Sequence, residues 1–91
     1  MSLTGKYEIP KSVLSRSVGT ETILLNLDTS TYHSLNGVAG RFWSLILEGK
    51  DLDEVEKMLL GEYAVEPVQL EKDLKELCAE LEKLNLLRAV G

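Results

Sequence analysis

The chain holds one cysteine, one histidine and two prolines, and only 5% of its residues are aromatic. A single cysteine excludes an internal disulfide and fits a reducing, cytoplasmic setting. One His and one Cys, far apart in sequence, fall short of the roughly four ligands of a zinc site. The acidic pairs Asp51/Asp53 and Glu80/Glu82 lack the alternating donor loop and central glycine of an EF-hand. They read instead as helix caps and solvated helix faces. A phosphate-cradling loop is missing too, because Gly37 and Gly40 flank a helix start with no long buried strand before it. No apolar run approaches the roughly 20 residues of a membrane span. The start M-S-L-T-G-K-Y-E-I-P lacks the apolar stretch of a secretion signal. The expectation is a protein without cofactor, metal or membrane partner.

What is present is one small domain's worth of chain, 91 residues with 44% hydrophobic content. With so few aromatics the core must come mainly from Leu, Val and Ile. The net charge of −5 is unevenly spread. Residues 1–50 carry five basic and four acidic groups (+1), and residues 51–91 carry five basic and eleven acidic groups (−6).

Residues 1–11 read as a flexible N-terminal arm, although Tyr7 and Ile9 can cover a sheet face. Residues 12–91 read as a single domain. Ser12 to Val18 alternate loosely, Gly19-Thr20 supply a turn, and Glu21 to Leu27 form a stronger strand with Ile23, Leu25 and Leu27 on one face and Leu24 and Asn26 on the other. Asp28-Thr29-Ser30-Thr31 has turn composition without glycine, which predicts a loop of about four residues rather than a tight primed turn. Tyr32 to Leu35 is a short third strand. Asn36 is a helix cap, followed by Val38, Ala39, Phe42, Leu45 and Ile46 at helical spacing and a stop at Gly49. Asp51 with Glu54 resembles a capping box, and Leu52, Val55, Leu59 and Tyr63 form the second helix's apolar face. Pro67 opens a third helix. Its leucines at 70, 74, 77, 81 and 84 give the cleanest periodicity in the chain. Asn85 ends that helix, and Leu86-Leu87 fold back over the core. The fold class is therefore α+β: a three-stranded antiparallel sheet followed by three helices, in winged helix-turn-helix outline.

That outline raises DNA binding, and charge opposes it. A recognition helix presents Arg, Lys, Asn or Gln to phosphates and base edges. The third helix instead exposes Glu71, Lys72, Asp73, Lys75, Glu76, Glu80, Glu82 and Lys83, five acids against three bases. The second exposes Asp53, Glu54, Glu56 and Lys57. Such a surface repels nucleic acid. Cysteine catalysis fares no better. Cys78 sits one step off the leucine stripe, where an inert thiol is expected, and His33 has no flanking pattern that marks an activated pair. The remaining opportunity is Tyr32 to Leu35, a sheet edge whose backbone groups can accept an extended peptide. Leu74 and Cys78 either border a groove beside that edge or are sealed in the core. Glu71, Asp73 and Lys75 are placed to grip charges on an incoming peptide.

The run L-L-N-L-D-T-S-T-Y-H-S-L-N followed by A-G-R-F-W-S-L-I-L-E-G resembles the PqqD-like family, also called RiPP recognition elements. The second half, L-D-E-V-E-K-M-L-L-G-E-Y-A-V-E-P-V-Q-L-E-K-D-L with an L-x-x-L-N-L-L ending, is similar as well, so the likeness runs from about Val13 to Leu87. Two departures are a hairpin turn without the glycine often found before the tyrosine, and Glu66 where Asp is common. The resemblance implies a non-catalytic protein that binds the leader segment of a ribosomally made precursor peptide as an added strand, and presents it to a separate leader peptidase or other modifying enzyme. Carried onto this chain, the peptide-binding residues are Tyr32, His33, Ser34 and Leu35 on the strand and Asp73, Leu74, Leu77, Cys78 and Leu81 on the third helix. Free-standing members of this size include the leader-binding protein of lasso-peptide biosynthesis, towards which the expectation leans. They also include the peptide chaperone of pyrroloquinoline quinone synthesis, which serves a radical enzyme.

Overall fold

The computed structural model describes residues 5–90. In chain order the elements are β1 (Lys6–Glu8), β2 (Val13–Val18), β3 (Glu21–Asn26), β4 (Thr31–Asn36), α1 (Gly37–Leu47), α2 (Leu52–Glu62), α3 (Pro67–Lys83) and β5 (Arg88–Val90). β2, β3 and β4 form an antiparallel sheet in that order, and β1 pairs with β5 in a second, two-stranded sheet. The three-stranded sheet followed by three helices is the architecture expected from the sequence.

Gly19-Thr20 links β2 to β3 across the Val18↔Glu21 pair, with Gly19 at φ +61. Positive φ at the first central residue alone is the II′ pattern, whose twist matches the strands it joins. Leu27–Ser30 link β3 to β4 between Asn26 and Thr31, with Ser30 at φ +58. Asn26 organises this loop. It is buried, and its Oδ1 accepts the N–H groups of Asp28 (2.9 Å) and Thr29 (3.2 Å). Its Nδ2 donates to the Asn85 carbonyl at 2.8 Å, joining the hairpin to the end of α3.

The alternation of β3 sets the orientation of the sheet. Leu24 and Asn26 face inward with Val13 of β2 and Leu35 of β4, and all four are buried. Leu14, Leu25 and Tyr32 form a cross-strand row on the other face, where Leu14 and Tyr32 are 53% and 73% exposed.

The helices close the core from one side. In α1, Phe42, Leu45 and Ile46 are buried and Val38 and Ala39 pack partly against them, as their spacing predicts. Trp43 joins them in the core, where its Nε1–H meets no acceptor among the described residues. Asn36 stands at the N-cap without a side-chain capping bond; Gly37, at φ +56, makes the turn from strand into helix. The helix ends in a Schellman arrangement in which Gly49 N–H reaches the Ile46 carbonyl and Lys50 N–H the Leu45 carbonyl, with Gly49 at φ +87. In α2 the Asp51 carboxylate accepts the Glu54 N–H at 2.9 Å, and Leu52, Val55 and Leu59 are buried. Glu56, expected on the solvent side, is buried, because it lies one turn after Leu52 and beside Val55. A bidentate pair from Arg41 Nε and Nη2 to the Glu62 carboxylate, at 2.8 and 3.0 Å, ties α1 to α2.

In α3 the buried stripe is Leu70, Leu74, Cys78 and Leu81, while Leu77 is only half-buried. Asn85, at φ +59, terminates the helix through Asn85 N–H to the Glu82 carbonyl and Leu86 N–H to the Leu81 carbonyl. Leu86 and Leu87 then return to the core.

The expectation of a flexible arm over residues 1–11 gives way at Lys6–Glu8, which pair with Arg88–Val90 in the register Lys6↔Val90, Tyr7↔Ala89 and Glu8↔Arg88. Residues 1–4 of that arm lie outside the described residues. Tyr7 packs against the core and donates its hydroxyl to Glu82 Oε1 at 2.8 Å. Arg88 Nε meets Glu8 Oε1 at 2.7 Å. Gly5 O accepts the Leu52 N–H at 3.0 Å, linking the chain before β1 to the start of α2.

Candidate functional site

β4 pairs with β3 alone among the described residues, so one side of its backbone ladder is open. In an antiparallel strand alternate residues direct N–H and C=O away from the existing partner. An added chain can therefore continue the sheet without any particular side chain on β4. β2 is the other open edge of the same sheet.

The β4 edge differs from β2 in what lies beside it. A cleft of about 470 Å³ runs between the end of β4, the start of α1 and one flank of α3. Val38, Ala39, Leu70, Leu74 and Leu77 give it apolar walls, and Val65 sits at one end. Asp73, Glu76 and Glu80 line it from α3, and none of its lining residues is Lys or Arg. His33 Nε2 lies 3.6 Å from Glu80 Oε1, which bridges the strand to the helix. A second cleft, of about 440 Å³, lies between the β3–β4 loop and β5, and no residue of β4 lines it.

The residues expected at the site fall into two groups. Tyr32 and Ser34 are exposed on the outer sheet face, and half-buried His33 faces the helices. Asp73 and Leu77 line the cleft, and Leu74 does so from a nearly closed position, 1% exposed. Leu35 is buried under the edge, its side chain in the core.

Cys78 and Leu81 are a different matter. Both belong to the core, at 4% and 0% exposure, and neither lines the cleft. Leu74 and Cys78 are thus both core residues; Leu74 also forms part of the cleft wall, and Cys78 does not. The Cys78 thiol is turned towards Tyr7 of β1, and burial pushes its pKa up to about 11 against the opposing effect of the Tyr7 hydroxyl. A thiol held protonated at neutral pH is a weak nucleophile. Glu71 is paired with Lys75 at 3.1 Å, and Lys75 borders a shallow depression around Val68 rather than the cleft.

Sequence reasoning missed Val38, Ala39, Val65, Glu76 and Glu80 as lining residues. For Glu76 and Glu80 the signal was present: with Asp73 and Leu77 they fall on one flank of α3, three to four residues apart. Periodicity located the buried stripe without saying which of its two neighbouring flanks faces the strand. Among the described residues no three His, Cys, Asp or Glu side chains gather where they could hold a metal ion. No helix among the described residues is long and apolar enough to cross a membrane.

Comparison with known proteins gives this geometry a context. The family model for PqqD, described as coenzyme PQQ synthesis protein D, matches residues 21–87. Among solved structures the chain is similar to TbiB1 in complex with the TbiA(beta) leader peptide, with 34% identity, 92% of this chain and 98% of that chain covered, and a TM-score of 0.87. It also resembles, in fold, lasso peptide synthetase B1 complexed with the leader peptide, at 22% identity, 94% and 99% coverage and a TM-score of 0.80. No curated protein matches the sequence.

Proposed function

The chain belongs to the PqqD family, and from that premise we propose that it is a non-catalytic adaptor that binds the leader segment of a ribosomally synthesised precursor peptide. The leader adds as a strand to β4 and lays alternate side chains into the cleft against α3. Holding the leader raises the effective concentration of the attached substrate at a separate enzyme without any chemistry in the adaptor itself. The partners are a leader peptidase and a cyclase of lasso-peptide biosynthesis, acting in the cytoplasm. Support for leader binding comes from the 34% identical relative solved with a leader peptide, and the choice of pathway leans on a structure of the same fold whose name is that of a lasso peptide synthetase.

The observation that carries this reading is an open strand edge bordered by an apolar-walled cleft. In the proposed site the main chain of Tyr32, His33, Ser34 and Leu35 supplies the ladder, and Asp73, Leu74 and Leu77 contact leader side chains. Cys78 and Leu81 support α3 from behind. The binding unit comprises residues 12–91, with β1 laced onto its end.

The test is a titration of fluorescein-labelled leader from a neighbouring precursor gene, followed by anisotropy. Binding at or below tens of micromolar is expected. A proline scan across the leader's central segment should weaken binding at alternate positions, because proline removes a ladder donor. Equal affinity for every proline variant rules out strand addition.

A further inference from the structure

We propose that the cleft selects leader segments carrying a lysine or arginine on the side of the strand that faces α3, set against Glu76 and Glu80. This rests on the leader-binding reading above and adds to it the chemistry of the preferred peptide.

The charge distribution on α3 is the first reason. Its cleft-facing flank carries Asp73, Glu76 and Glu80 and no base. Lys72 and Lys75 do not line the cleft and sit around Val68 and Glu71 in a depression that Glu76 also borders. Glu76 therefore stands at the boundary between the two surfaces, and Glu80 on the cleft side alone. Asp73 is already engaged, accepting a hydrogen bond from Gln69 Nε2 at 2.8 Å, and Glu80 has the longer 3.6 Å approach to His33. An acidic side chain on the peptide would enter a wall of like charge bounded by apolar surface, which costs more than in open water.

Spacing is the second reason. Glu76 and Glu80 are one helical turn apart, about 6 Å along the axis. Strand residues two apart, which share a face, are separated by about 6.6 Å. A peptide strand running alongside α3 would place successive cleft-facing side chains close to the rise between these carboxylates. A long flexible Lys or Arg can lay its aliphatic stem on Leu77 and Val38 and keep its charge at the rim. The outward-facing positions lie over the exposed Tyr32 and Ser34 face and are not subject to this selection.

The experiment uses the full chain, immobilised, and an mRNA-displayed library of random 12-residue peptides. The tightest enriched peptides are then labelled and measured by anisotropy with proline and charge variants. The expected result is enrichment of Lys or Arg at a cleft-facing position, about tenfold weaker binding when it becomes Glu, and reduced affinity at higher salt. Against the double variant Glu76→Lys/Glu80→Lys the preference should invert, and against Glu76→Gln/Glu80→Gln it should fade; both carboxylates are exposed, and circular dichroism checks that the fold is kept. Proline-sensitive binders without a basic preference, or a preference unchanged by charge reversal, overturn the selectivity and leave strand addition standing. Failure to enrich any proline-sensitive peptide overturns both.

Discussion

Two residues decide more than their size suggests. Asn26 is buried and spends its amide on three backbone groups: two N–H groups of the β3–β4 loop and the carbonyl that ends α3. Asn26→Ala leaves those groups without partners and should cost about 2–3 kcal/mol in urea unfolding. The loop feeds directly into β4, so peptide affinity should fall as well. Cys78 and Tyr7 make a prediction about alkali. Burial raises both pKa values, with the Glu82 hydrogen bond reinforcing the shift at Tyr7, and Cys78 moves from 9.0 to about 11. Below pH 9 the thiol is protonated in both folded and unfolded chains. Between about pH 9 and 11 the unfolded chain loses the proton while the folded chain keeps it, so stability falls as pH rises through that window. Unfolding midpoints measured at pH 8, 9 and 10 should show this decline, and Cys78→Ala should make it shallower.

At the scale of the element, α3 carries two surfaces whose leucines are alike in sequence and unlike in role. Leu81 is wholly buried, and Leu81→Ala should destabilise the protein by about 2–5 kcal/mol in thermal or urea unfolding. Leu77 lines the cleft and is half-buried, so Leu77→Ala should cost less stability and weaken peptide binding several-fold in the anisotropy titration. The sequence made the helix, its proline start and its Asn85 end legible, because those signals are local. It also made β4 legible as an edge. Leucine spacing alone draws the stripe through Leu77. Cys78, a small hydrophobe, takes that place in the core, which rotates the buried face and turns Leu77 to the cleft. Trp43 and Glu56 were missed for a related reason: an apolar face more than 100° wide buries residues beside the strict repeat. β1 and β5 left no trace, since three-residue strands are too short to show alternation and their pairing spans nearly the whole chain.

For the molecule as a whole, what matters is how the pieces are distributed around one core. The sheet contributes Val13, Leu24 and Leu35, the helices contribute most of the remainder, and Leu86 and Leu87 close it before β5 begins. The cleft draws its lining from β4, α1, α3 and the approach to α3, and includes nothing from β1 or β5. That separation has a use. Lys6 and Val90 are opposed across an antiparallel pair, so the entry and exit of the folded unit lie about 5 Å apart. A unit with adjoining entrances can be spliced into an exposed loop of a host protein without stretching either. Residues 6–90 inserted in this way should still capture peptide in a pull-down with the same labelled probe, whereas shortening the insert to residues 6–87 should lower its melting temperature. The strand pair at the ends thus gives the domain the geometry of a portable cassette, with the cleft lined by other elements than the two at the join.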